Sequence, residues 1–154
     1  SVAANKGRPY GLKFAVPKKK NDRLYSAVAE LGLGLEDKMD IPVGLLSGGQ
    51  RQAIALLMAT MTPISFLILD EHTAALDPKT AEIIMKLTDR IVREKNLTAI
   101  MVTHNLRYAV EYGNRMLMLH HGDIVLERKA AAKTETTVDD ILSVFNEISI
   151  ECGN

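Results

Sequence analysis

Two short stretches of this chain carry the residue types that phosphate chemistry needs. One is Ser47-Gly48-Gly49-Gln50, and the other is Phe66-Leu67-Ile68-Leu69 running into Asp70-Glu71. The first reads as a helix start, since Ser47 can cap and Gln50, three residues on, can reach back. Two glycines in a first turn each cost about 1 kcal/mol against alanine, and a cap does not ask for them. A ligand brought close to the backbone does, because glycine has no Cβ in the way. A helix N-terminus also offers free N–H groups to an anion. The Ser47 hydroxyl and the Gly49 N–H are thus candidates for a terminal phosphate.

The second stretch is an apolar run that ends in two adjacent carboxylates. Open α/β sheets place ligands beyond the carboxyl ends of their strands. Asp70 is positioned there to hold Mg²⁺, directly or through water, and Glu71 to take a proton from an attacking water. The alternative is that both carboxylates simply leave the core into solvent; the upstream Ser47–Gln50 stretch argues for chemistry. His104 follows a second apolar run, Thr98-Ala99-Ile100-Met101-Val102-Thr103. If the two strands are neighbours, His104 reaches the same crevice as Glu71 and can contact a phosphate or the water. Asp77 precedes Pro78 and is also a good N-cap. His72, His120 and His121 lack partners at metal-ligand spacing and receive no role.

The elements that must carry these residues follow from periodicity. Residues 1–22, with Lys18-Lys19-Lys20, read as loop or linker. A short helix is predicted over 23–33 from Leu24, Val28 and Leu31, ended by Gly32 and Gly34. Residues 36–46 connect to a helix over 48–61, with Ala53, Ile54, Leu57, Met58 and Met61 on one side and Pro63 closing it. Residues 66–69 suit a strand buried on both faces, and 98–103 a second. Between them Asp77-Pro78 opens a long helix whose stripe is Ile84, Leu87 and Ile91. A helix over 105–111 stops at Gly113. Strands over 115–119 and 124–127 form a hairpin, turned by Gly122-Asp123. A last amphipathic helix covers 138–148, with Asp139 and Asp140 suiting its dipole. This is an α/β layout, with a helical first part and a subdomain change near Pro63.

Bulk properties bound the function. A length of 154 residues is about one domain. Basic and acidic residues balance at 19 each, which argues against nucleic acid as the main partner. The single cysteine, Cys152, permits no disulfide within the chain. No apolar run approaches the roughly 18 residues of a membrane helix. The start at Ser1, without methionine or signal pattern, reads as a fragment or trimmed chain.

Four motifs, in order, resemble those of ABC ATPases. Leu46-Ser47-Gly48-Gly49-Gln50 is similar to their signature motif and Phe66 to Glu71 to their Walker B strand with its catalytic glutamate. Ala75-Leu76-Asp77 resembles the D-loop, and Thr103-His104 the switch-histidine loop. The resemblance implies a partial P-loop NTPase domain: a mostly parallel sheet with flanking helices, plus a helical subdomain piece. Residues 1–62 would be the helical piece and 63–154 the C-terminal part of the ATPase core. It implies ATP and Mg²⁺ as cofactors and a head-to-tail dimer with a second ATPase subunit. Each ATP would lie between the P-loop of one subunit and the signature motif of the other. Ser47, Gly48, Gly49 and Gln50 would then serve a nucleotide held by the partner. Asp70, Glu71 and His104 would serve the subunit's own nucleotide, and Asp77 would act across the interface. A transmembrane permease would be the driven partner, with the chain peripheral on the cytoplasmic face of a bacterial inner membrane.

Departures from the family pattern are His72 where proline is usual, Ala74 where serine is usual, and Ala53 and Met58 where many members carry arginines. The run Leu56-Leu57-Met58-Ala59-Thr60 with Asp70-Glu71-His72-Thr73 resembles ATPases of bacterial importers that use a solute-binding protein. No G-x-x-x-x-G-K-[ST] loop occurs; Gly7 to Phe14 imitates one at the wrong spacing. The expectation is therefore an ATP-hydrolysing transport subunit whose present 154 residues are inactive alone. The alternatives are a soluble ABC ATPase without a permease, and a non-catalytic fragment that keeps the dimer surface.

Overall fold

The computed structural model describes residues 18–151. Cys152, the Gly7 to Phe14 stretch and residues 1–17 of the loop expected over 1–22 lie outside them. The described chain forms two compact units that divide between Met101 and Val102, beyond the compositional change at Pro63.

The first unit begins with α1, Lys18–Ala29. The lysine run expected in a loop belongs to this helix instead; lysine is a good helix former, and charge alone does not mark a loop. Gly32 and Gly34 adopt φ of 68° and 62°, so the chain leaves the helix through the left-handed conformations that glycine tolerates. Two single-turn 3₁₀ helices, Glu36–Lys38 and Val43–Leu45, lead to α2, Gly48–Thr60. The buried stripe of α2 is Gly49, Ala53, Leu56 and Thr60. The stripe expected from Met58 is rotated away, and Met58 is exposed. The small residues are the ones that let α2 approach α3.

Strand β1, Phe66–Asp70, is followed by α3, Pro78–Glu94, and by β2, Thr98–Val102. β1 and β2 are hydrogen-bonded neighbours. The Thr98 N–H donates to the Ser65 carbonyl at 3.0 Å, so the two strands start together and run parallel. Leu67 and Leu69 of β1 join Val28, Leu46, Ala53 and Ile84 in one core. α3 buries Ala81, Ile84, Met85, Leu87, Thr88 and Ile91; the predicted stripe is contained in that set. Burial on both faces of the strands is not observed. Phe66 and Ile68 are 47% and 65% exposed, and Ile100 and Val102 are about half exposed. A continuous apolar run states which residues avoid water; it does not state which have a neighbour here.

The second unit has α4, Leu106–Glu111, capped by Asn105, and the antiparallel hairpin β3, Arg115–His120, with β4, Asp123–Lys129. His120 pairs with Asp123, so the turn is His121-Gly122 rather than Gly122-Asp123. Both turn residues have positive φ, 49° and 92°, as a two-residue type I′ turn requires. The register slips between Met118 and Leu119, making Val125 a bulge. A short helix that periodicity did not reveal, α5, Ala130–Glu135, follows. Its Lys133 is buried and donates from Nζ to the Val110 carbonyl at the end of α4. That burial pushes the ammonium below its ordinary value, and a cation suits a helix C-terminus. α6, Val138–Glu151, packs Ile141 against Met116 and Leu126. No helix among the described residues is long and apolar enough to cross a membrane.

Candidate functional site

Ser47 enters α2 with φ −62° and ψ 161° and caps it. Its Oγ accepts from the Gln50 N–H at 3.2 Å, and the Gln50 Oε1 accepts from the Ser47 N–H at 3.2 Å. The reciprocal box leaves the Ser47 hydroxyl hydrogen available for donation. Gln50 is engaged at both ends. Its Nε2 donates to the Leu33 carbonyl at 3.1 Å, and Lys38 Nζ donates to its Oε1 at 3.4 Å. Its side chain braces α2 against the segment after α1.

The two glycines have a partner that the sequence does not reveal. A methyl group on Gly49 would overlap Thr80 Cγ2, and one on Gly48 would sit 3.0 Å from Leu76 Cδ2. The close approach that excludes a Cβ is made by the start of α3. The inference from glycine to ligand is corrected accordingly: helix packing accounts for Gly49. The N–H groups of Gly48 and Gly49 still lack carbonyls one turn back.

Asp77 caps α3, its Oδ1 accepting from the Thr80 N–H at 3.1 Å. The Thr80 hydroxyl first, and its N–H second, hold the Asp77 carboxyl below its ordinary range. Thr80 thus touches both motifs: its polar groups fix Asp77 while its methyl covers Gly49.

β1 ends in Asp70, exposed, and Glu71 follows with φ 42°. A left-handed glutamate costs about 1–2 kcal/mol relative to ordinary backbone. The turn after it is closed by Ala74 N–H to the Glu71 carbonyl at 2.9 Å and Leu76 N–H to the Thr73 carbonyl at 3.1 Å. Asp70, Glu71 and His72 line an open depression of about 540 Å³ that also takes in Gly48, Arg51 and Gln52. Ser47, Gly49 and Gln50 are not on its wall.

His72, which periodicity and spacing left without a task, is half-buried and turned toward α3. Its Nε2 lies 3.2 Å from Thr88 Oγ1, and burial lowers its pKa from the ordinary 6.5. No spacing rule could have paired residues 16 apart. His104 lies in the second unit, exposed, between Thr103 and the cap Asn105; Thr103 Oγ1 accepts from the Asn105 N–H at 3.0 Å. His120 and His121 stack edge to face at the hairpin turn, 4.2 Å apart. Among the described residues no three His, Cys, Asp or Glu side chains are gathered to hold a metal. Mg²⁺ does not require that, since it takes one or two carboxylates with water and phosphate oxygens. Exposed Asp70 at a strand end suits that mode.

The profile of a family described as "ABC transporter" matches residues 1–74. The tyrosine transport ATP-binding protein of Clostridioides difficile strain R20291 is 48% identical over 145 residues, covering 94% of this chain and 57% of that protein. The methionine import ATP-binding protein MetN 2 of Bacillus cereus is 35% identical over 144 residues, covering 90% of this chain and 42% of its own length. The chain therefore spans about half the length of the curated relatives it matches. Among solved structures, an inward-facing metal-chelate type ABC transporter superposes with a TM-score of 0.64 at 27% identity, over 87% of this chain and 52% of that one. A cassette dimer in a post-hydrolysis state with ADP and phosphate gives 0.61 at 28% identity, over 77% and 50%.

Proposed function

Since the chain belongs with the ABC transporter ATP-binding domains, we propose that it is part of an importer subunit that hydrolyses ATP to drive a permease. The observation that carries this reading is the end of β1. Two adjacent carboxylates stand exposed there, on the wall of one depression, with the second in a backbone conformation that has to be held in place. The names of the relatives, which concern tyrosine and methionine transport, support a small solute as cargo.

In this reading Asp70 holds Mg²⁺, directly or through water. When bound, Mg²⁺ neutralises charge on the β- and γ-phosphate oxygens. Glu71 accepts a proton from water as the water oxygen bonds to the γ-phosphorus and the bond to the ADP oxygen breaks. His104, after β2, orients that water or contacts the γ-phosphate. Ser47 donates its free hydroxyl hydrogen, and Gly48 and Gly49 their N–H groups, to the nucleotide held by a second ATPase subunit. Gln50 keeps that helix start in place, and Asp77 faces the partner across the dimer.

Residues 1–62 serve in this reading as the helical subdomain piece and 63–154 as the C-terminal part of the core. The subunit sits on the cytoplasmic face of a bacterial inner membrane, beside a permease that receives solute from a binding protein. The 154 residues alone, without a glycine-lysine loop, are inactive. The test is Glu71→Gln in the full-length subunit. ATP binding and dimer closure should persist while turnover is lost; near-normal hydrolysis removes Glu71 from the base role.

A further inference from the structure

Glu71 is held from both sides. β1 leads into it, and the turn over residues 71–77 leads away, closed by two short backbone hydrogen bonds. Leu76 packs the far part of this turn against the core, and the residue directly after Glu71 ties its near end to α3 through a side-chain hydrogen bond. His72 Nε2 lies 3.2 Å from the Oγ1 of Thr88, in the middle of α3. Thr88 is 4% exposed, and its hydroxyl donates to the Ile84 carbonyl at 2.8 Å. A hydroxyl has a single hydrogen. With that hydrogen committed to Ile84, Thr88 Oγ1 can only accept, so His72 Nε2 must carry the hydrogen between them. His72 is therefore a donor fixed to a buried acceptor on a regular helix.

We infer that His72 is a positioning residue: its Nε2–H bond to Thr88 holds the left-handed Glu71 backbone, so that the Glu71 carboxylate stays beside Asp70 at the depression. The inference rests on the reading of Glu71 as the base. One peptide separates the two residues, so a shift of the His72 main chain passes directly into ψ of Glu71. A carboxylate three bonds out from a moved Cα loses its aim by about 1 Å for a small rotation, and misplacement on that scale lowers turnover by tenfold to about a hundredfold. In the proposed reading neither His72 nor Thr88 contacts the nucleotide, so ground-state binding of ATP should be left alone.

The experiment uses the full-length subunit assembled with its partners, with turnover expressed per bound nucleotide so that unfolded protein does not count. His72→Phe keeps a ring and loses the donor; Thr88→Val keeps the shape and loses the acceptor. Each should lower kcat about tenfold with KM for ATP within about twofold. The double variant should be no slower than either single one, because both remove one bond. His72→Gln carries an N–H at nearly the same reach and should regain most of the rate. The inference is overturned if His72→Phe turns over like the parent, if kcat and ATP affinity fall together, or if His72→Gln is no faster than His72→Phe. Glu71→Gln in parallel separates the two claims. If it hydrolyses ATP normally, the base reading fails; if it is dead while His72→Phe is unaffected, only the positioning role fails.

Discussion

Gly49→Ala tests how the two motif helices meet. An alanine Cβ at this position overlaps Thr80 Cγ2. Thr80 cannot swing the methyl aside cheaply. It is β-branched, and turning Cγ2 away carries its hydroxyl off the Asp77 carboxylate that it holds. Overpacking of this kind costs about 1–3 kcal/mol, against a gain of up to about 1 kcal/mol from replacing glycine in a helix. An overlap this close puts the overpacking cost at the upper end of its range, so the net expectation is a loss of about 2 kcal/mol. Thr80→Ser removes Cγ2 and keeps the hydroxyl. The next neighbour of the new Cβ is then the Cβ of residue 80, at 3.7 Å, which is ordinary contact. The double variant should return to within about 0.5 kcal/mol of the parent, a coupling that only adjacent residues show. Gly48→Ala meets the movable end of Leu76 and should cost less. The assay is equilibrium denaturant unfolding of the full-length subunit, followed by ATP turnover. The added Cβ points at α3 and not at solvent, so the double variant should regain turnover with stability. A Gly49→Ala protein as stable as the parent, or a loss that Thr80→Ser does not relieve, refutes the packing argument. Recovered stability without recovered turnover would return the glycine to the ligand.

Ser47→Asp separates capping from phosphate contact. Aspartate caps about as well as serine, so stability should change by no more than about 0.5 kcal/mol; if residue 47 meets a nucleotide phosphate as proposed, the added carboxylate should lower turnover sharply, and equal activity in the ATPase assay contradicts the contact. Asp77→Asn tests acid sensitivity. The Asp77 carboxyl is depressed from 3.8 in the folded state, so the unfolded chain binds its proton first as pH drops. The stabilisation is complete above the unfolded value and is lost as pH falls through the folded one. Unfolding curves of the Asn variant, which caps without titrating, should therefore fall less steeply below about pH 4 than those of the parent.

Local rules made much of the fold legible. Asp77-Pro78, Pro63 and Gly32 mark helix ends by their own conformational limits; α3 starts at Pro78, and α1 and α2 end within three residues of Gly32 and Pro63. Properties that depend on a neighbour were not legible. The apolar pattern of Phe66 to Leu69 gave a strand correctly but could not tell the covered face from the exposed one. The rotation of α2, which buries Leu56 and Thr60 and leaves Met58 in water, is set by the approach of α3. α5 is short and carries a buried lysine whose partner is 23 residues away, so no window around it shows a period.

The same limit decides how the site should be read. Ser47, Gly48, Gly49 and Gln50 are adjacent in sequence but have different tasks in space. Ser47 has a hydroxyl hydrogen left to donate, Gly49 makes room for Thr80, and Gln50 binds the helix start to Leu33 and Lys38. A motif is thus a record of several constraints, and only some of them face a ligand. Asp70 and Glu71 divide similarly: Asp70 ends a regular strand, while Glu71 needs a left-handed backbone and a turn closed behind it. Thr80 and Thr88, two turns apart on α3, hold these two motifs from one helix. Thr80 fixes the start of α2 beneath its methyl, and Thr88 receives the tether from beside Glu71. A rigid α3 would therefore keep the start of α2 and the turn after Glu71 in register. If so, a helix-breaking change between them, such as Lys86→Gly on the exposed face, should cost about 1 kcal/mol of stability and also slow turnover. Loss of stability alone would leave the two motifs independent.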